Sequence, residues 1–344
     1  MRQNGISEYR AELMAISMLA ILLTHLKASF GVYALDRVAL LCQGGVDVFL
    51  FLSGFGLYYS GMKSDNPLRF YSKRFKRIFP SFWVVMLLTF WLIDKLHWPN
   101  VIWGGSTLAF WFQSTNKYSF GWFVSLIVVL YAVFPWFFRL FRKHPKIATL
   151  FGVGVGLLLT GMYVYRYQVV YPGGQNRFIL PAARVAIFFL GVYGAHWLVT
   201  KKETSETVKR KEKWLLVSVA LVGLLFLNLA LNAWGFRTMR NTGLLYWSYV
   251  LIIPGFLIAC VWMFQKMRAT SIGTQILNAL KHLGGCTLEA YLLIAVTYSY
   301  VPLVSRQLGI SPLASNLLLL VATVVAAWIT HRVVDGIMRK AKLF

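Results

Sequence analysis

The run LLYWSYVLIIPGFLIACVWMF, residues 244–264, holds 21 consecutive residues without a single charge. A helix needs roughly 20 mostly apolar residues to cross the hydrocarbon of a bilayer, so this run is long enough to span one. Working outward between charged loops gives nine more such runs, at about 11–30, 43–61, 78–96, 119–138, 147–165, 178–198, 214–233, 284–304 and 313–333. The expectation is an all-α integral membrane protein, a bundle of about ten transmembrane helices forming one domain over residues 1–344. The whole composition agrees. Hydrophobic residues make up 58% and charged ones only 13%, against about 25% charged in a soluble domain. The mean hydropathy is +0.63. A water-soluble enzyme is excluded.

The formal charge of +24 alone would suggest nucleic acid, but a nucleic-acid binder carries its basic face on a soluble core. The cations here read instead as a topology signal. With the N-terminus inside, 25 of the 35 Lys and Arg fall in the six segments that would face the cytoplasm and nine in the opposite loops, while Arg184 falls inside the sixth run. That bias, held across every alternate loop, predicts an even number of spans with both termini cytoplasmic. Met1 to Glu12 is too short and polar for a cleaved signal, so the first run is expected to stay in the membrane. The aromatic stretch 99–115, with Trp103, Phe110 and Trp111 close behind Trp98, is too short to span and reads as interfacial or re-entrant. Cys42, Cys260 and Cys286 are far apart and the histidines scattered, so neither a disulfide framework nor a metal site is expected. Gly152-x-Gly154-x-Gly156 lies in an apolar run without a preceding strand, which favours close helix packing over a nucleotide loop.

Ionisable groups inside spans are costly and mark functional candidates. Four stand out: His25, Asp47, Arg184 and Glu289. His25 follows Arg10 by 15 residues, roughly 22 Å along a helix, and Asp47 precedes Met62 by 15 on a helix running the other way. The two reach similar depth, where a carboxylate can orient an imidazole as a general base. The plainer reading makes His25 interfacial and Asp47 a helix-start residue. Arg184 calls for a nearby anion or backbone carbonyl. Glu289 either pairs with a cation such as Arg74 or Arg77 or faces water. Arg74 and Arg77, spaced i and i+3, share a helix face. They suit a phosphorylated cytoplasmic ligand, although composition alone favours the plainer reading, a topology signal touching anionic lipid headgroups.

Several of these residues sit in recognisable patterns. Tyr9-Arg10-Ala11-Glu12-Leu13 through His25, Gly44-Gly45-Val46-Asp47 through Leu52-Ser53-Gly54-Phe55, and Arg74-x-x-Arg77-Ile78-Phe79-Pro80 come first. Trp122 with Tyr131 and Pro135, Arg184-x-x-x-Phe188-Phe189-Leu190-Gly191, and Thr287-Leu288-Glu289-Ala290-Tyr291-Leu292 follow in order. Together they resemble the membrane-bound acyltransferase family 3 over essentially the whole chain. The resemblance implies a bacterial, multi-pass inner-membrane enzyme that moves an acetyl or other short acyl group from acyl-coenzyme A to a hydroxyl of a cell-surface or lipid-linked glycan. Implied partners are the bilayer, acyl-CoA and a carbohydrate acceptor, with no nucleic acid and no metal. His25 matches the histidine taken as catalytic base, with Asp47 expected to stabilise its imidazolium. Arg74 and Arg77 match the paired arginines associated with the coenzyme A phosphates. Ser53, Arg184 and Glu289 fall on recurring positions, Ser53 being one candidate oxyanion donor. Three positions depart from the pattern. Met14 stands where a basic residue is usual, with Arg10 one turn earlier on the same face as a stand-in. Ile294 replaces a histidine, and Ile127 and Val128 replace glutamates of some members. A rival reading from another class is an exporter of a lipid-linked or polymeric sugar, without acyl chemistry.

Overall fold

A computed structural model describes residues 5–26, 30–64, 66–94, 98–112, 121–170, 177–201 and 206–340. All regular structure among them is helical. In chain order the helices are α1 (Gly5–Glu8), α2 (Arg10–Thr24), α3 (Tyr33–Leu41), α4 (Gly45–Lys63), α5 (Pro67–Asp94), α6 (Trp98–Gly105), α7 (Ala109–Phe112) and α8 (Trp122–Lys143). They continue with α9 (Pro145–Tyr165), α10 (Ile179–Ala182), α11 (Val185–Thr200), α12 (Glu206–Asn241), α13 (Leu244–Met267), α14 (Ser271–Gly285), α15 (Thr287–Gln307) and α16 (Pro312–Lys340). Pro67, Pro145 and Pro312 open their helices, where a missing N–H costs nothing and a fixed φ helps. Gly243 (φ 77°) and Gly309 (φ 68°) supply the left-handed backbone that turns α12 into α13 and α15 toward α16.

Nine segments among the described residues are long and apolar enough to cross a membrane. They correspond to the second through tenth runs read from the sequence. The first run is shorter than expected: α2 has 15 residues, about 22 Å of rise, and stops at Thr24. Residues 27–29 of that run lie outside the described residues, as do Arg2, Lys27, Lys95, Lys117, Lys202 and Lys342 of the sidedness count. The second run begins early, because α3, a tight turn at Cys42–Gly44 and α4 run on from Tyr33 to Lys63. In the stretch 99–115 two short helices, α6 and α7, take the place of a span, with Val101, Ala109 and Phe110 buried; residues 113–115 lie outside the described set.

The helices form two compact units whose segments interleave along the chain: residues 1–14, 46–65 and 133–278 in one, and 15–45, 66–132 and 279–344 in the other. In the first unit small residues let backbones approach closely. A Cβ on Gly54 of α4 would fall on the carbonyl oxygen of Phe188 in α11, and one on Gly191 of α11 would fall on that of Phe51. Gly152 of α9 lies against the Phe189 ring and Gly156 against the Ala186 backbone, whereas Gly154 points into open space. The glycine run is thus a helix-packing device, as its context suggested. In the second unit α15 packs on α16 and both pack on α5. Gly45, at the start of α4, lies against the Ser17 carbonyl and Ile21 of α2.

Candidate functional site

The deepest charges belong to the first unit. Arg184 Nε donates to Asp47 Oδ2 at 3.1 Å, and each side chain is only 1% exposed. Arg184 does not sit within an unbroken sixth span. It occupies the break between α10 and α11, as the residue capping α11. There its guanidinium lies over the Tyr246 ring of α13, 4.1 Å from the centroid. The anion that a buried arginine called for is therefore the Asp47 carboxylate, three residues into α4, with the Tyr246 ring against the guanidinium's face. Asp47, expected to serve an imidazole, has its Oδ2 held by Arg184; a buried guanidinium without a carboxylate would be costly.

The same unit holds two other candidates. Arg10 Nη2 donates to the Leu52 carbonyl at 3.2 Å, with the guanidinium packed closely over Gly56. Arg10 thus anchors α2 to α4. Ser53 is half-buried on α4, and its hydroxyl makes no hydrogen bond to the described residues.

His25 belongs to the second unit. It follows the last turn of α2, its Nδ1 2.7 Å from the Ile21 carbonyl and 3.1 Å from Thr24 Oγ1, while Thr24 Oγ1 donates to the same carbonyl at 2.8 Å. A carbonyl only accepts, so Nδ1 carries the proton and Nε2 of the neutral ring keeps its lone pair. Tyr298 of α15 meets the ring edge-on at 6.2 Å between centroids.

Arg74 and Arg77 lie on α5 of this unit, but they are not equivalent. Arg74 is half-buried, its guanidinium 5.4 Å from the Phe70 ring centroid and 5.8 Å from that of Tyr131; Arg77 is exposed. Cation–π contacts of this kind restrict where the guanidinium can point. Two turns further on, Ser81 Oγ donates to Glu289 Oε1 at 2.6 Å, and His331 Nδ1 donates to the same oxygen at 3.2 Å. Glu289 therefore pairs neither with Arg74 nor with Arg77, nor does it face water: it is 4% exposed and ties α5, α15 and α16 together. His331 Nε2 lies 3.6 Å from Asp335 Oδ2, one turn along α16.

Tyr246, Ser81 and His331 were not singled out from the sequence. A serine or tyrosine in an apolar run carries no signal, since its partner is far away in the chain. His331 was detectable as an ionisable residue within the last run, but the adjacent Arg332 made it look like part of the basic membrane edge.

Helical structure throughout the described residues, with nine membrane-length segments among them and ionisable groups held inside, defines a multi-pass membrane protein. The acyltransferase domain family, Acyl_transf_3, matches residues 13–332, and the chain belongs to this family. Over 125 residues it is 30% identical to the acyltransferase MdmB of Streptomyces mycarofaciens, a match covering 33% of this chain and 32% of that protein. The chain thus spans about a third of the length of the curated relative it matches. No solved structure matches it.

Proposed function

We propose that this protein is a membrane O-acyltransferase that uses cytoplasmic acyl-CoA to acylate a hydroxyl of a cell-surface or lipid-linked glycan, in a bacterial inner membrane. The observation that carries this reading is the fixed tautomer of His25. The Ile21 carbonyl takes its Nδ1–H, which directs the ring's basic Nε2 away from the backbone, in a family whose members carry acyl groups.

In the proposed reaction Nε2 removes the proton of the acceptor hydroxyl as its oxygen attacks the thioester carbonyl. The carbon–sulfur bond breaks, and the imidazolium returns the proton to the departing thiolate, so ester and free thiol form with no net proton change. Arg74, pre-oriented by Phe70 and Tyr131, holds a phosphate of the donor, with the exposed Arg77 adding charge. Asp47 acts through Arg184: it keeps the break before α11 in place and is a positioning residue.

The test compares base-labile O-acyl groups on envelope glycans from cells lacking the gene, complemented with the parent or with His25→Ala. The parent is expected to restore the esters and the variant to cut their formation by about 10²–10⁴-fold, the usual contribution of a general base. Full restoration by His25→Ala sinks the base assignment. Unmodified glycan accumulating inside the deletion cells, with no ester restored by the parent, overturns the enzyme reading in favour of export.

A further inference from the structure

The loops that the charge bias assigns to the outside hold nine cations, and four of them, Arg166, Arg177, Arg237 and Arg240, belong to the first unit. All four are arginine. No Asp or Glu occurs between Asp94 and Glu203, nor between Glu212 and Glu289, so the loops that carry these arginines hold no carboxylate. Asp47, also in this unit, is already held by Arg184. Packing ties the arginine-bearing segments to one end of the unit. A Cβ on Gly243, in the turn from α12 to α13, would fall 2.8 Å from Thr160 Cγ2 of α9, with Ile179 of α10 and Ala183 close by. Trp247 Nε1 of α13 donates to Thr160 Oγ1 at 3.2 Å. Tyr163 of α9 stacks on Phe178, 5.2 Å between centroids, and the Arg177 guanidinium lies 4.7 Å from the same ring.

The end of α12 shows how two of the four are presented. Gly235 (φ 73°) breaks that helix, and beyond the break Met239 is buried while Arg237 and Arg240 are exposed. Spaced i and i+3, the two share one helix face, where like charges repel. No ion pair among the described residues involves either. An oxyanion from outside the chain relieves that repulsion, and a guanidinium fork takes carboxylate or phosphate bidentately. A lipid headgroup is the less fitting source, because anionic lipid draws cations to the cytoplasmic leaflet, and these lie on the opposite side by the charge bias. We infer that this arginine patch binds the acceptor through its carboxylate or phosphate groups, which makes the acceptor an acidic glycan. The inference rests on the acyltransferase reading above and names the class of its acceptor. Arg237 and Arg240 are its recognition residues, held outward by the break at Gly235 and the buried Met239.

Right-side-out membrane vesicles carrying the full chain test this, because they seal the basic cytoplasmic loops inside. Fluorescent oligogalacturonate supplies carboxylates, ribitol-phosphate oligomers supply phosphates, and dextran of matched length is the neutral control. Vesicles with the parent are expected to bind an acidic probe above chain-free vesicles, and to leave dextran unbound. The double change Arg237→Gln with Arg240→Gln is expected to weaken that binding roughly tenfold for each hydrogen bond to a charged group that is lost. Arg237→Lys with Arg240→Lys keeps the charge without the fork and is expected to fall between. An unchanged unfolding midpoint in detergent checks that both variants are folded. Equal binding by the parent and the Gln variant, equal binding of dextran, or no binding of either acidic probe by the parent overturns the proposal. Phosphatidylglycerol that co-purifies with the parent but not with the Gln variant hands the arginines to a lipid phosphate and overturns it too. No acyl donor enters the measurement, so this patch can fail while the ester test above succeeds. Esters absent from that test with glycan binding intact would fault the acyl chemistry instead.

Discussion

Removing a guanidinium and a carboxylate from water costs several kcal/mol per ion, and their attraction offsets this only when both partners stay in place. Arg184 and Asp47, each 1% exposed, are in that regime. Asp47→Leu alone strands a buried cation, and Arg184→Met alone strands a buried anion. Each single change is expected to cost about 3–5 kcal/mol, and the double change much less than their sum. Thermal unfolding midpoints in detergent, read by size exclusion, check this: midpoints that fall additively in the double variant would show that the pair is not coupled. The double variant also separates stability from activity. A chain that is stable but inactive would give the Arg184–Asp47 pair a part in binding or catalysis, beyond its role at the break before α11.

Helix packing is the scale at which backbone proximity matters most. Gly54 and Gly191 each face a backbone carbonyl, of Phe188 and Phe51 respectively, which cannot swing aside. Gly152 faces the root of the Phe189 side chain, its Cγ and Cβ included, which ring rotation does not move, and Gly154 faces nothing within 4 Å. Replacing each by alanine is therefore expected to give a ranked series. Gly54→Ala and Gly191→Ala should cost about 1–3 kcal/mol or more through overpacking. Gly152→Ala should cost a similar amount, and Gly154→Ala should be neutral or gain up to about 1 kcal/mol from helix propensity. Equal losses at Gly152 and Gly154 in the same unfolding assay would refute the packing assignment. The same scale shows what could be read in advance. Hydropathy located nine of the ten runs, because a membrane-length helix must be apolar along its whole length. It overran at α2 and at Arg184, because an apolar run does not record where a helix breaks, and Pro181 is the penultimate residue of α10. The four ionisable candidates were legible as exceptions to that apolarity. Their partners were not: Asp47 meets Arg184 across 137 positions of sequence and Ser81 meets Glu289 across 208, separations that no local pattern encodes.

For the molecule as a whole, the charge bias fixes an expected sidedness, and the proposed function needs it. Acyl-CoA is cytoplasmic, so Arg74 must face that side, and the loop between α15 and α16 must then face out. Single cysteines test this in a background where Cys42, Cys260 and Cys286 are replaced by alanine; the latter two are buried and Cys42 is half-buried, so each replacement removes little surface. Lys211→Cys, exposed on α12, is expected to react with a membrane-impermeant maleimide only after permeabilisation, and Ser311→Cys, exposed before α16, in intact cells. The reverse pattern would turn the donor site outward and rule out cytoplasmic acyl-CoA. Labelling of both positions from the same side would break the alternation between α12 and α16, and with it the even number of spans. The test has force because the side of each loop depends on the parity of every span before it, so two labels report on the threading of the whole chain.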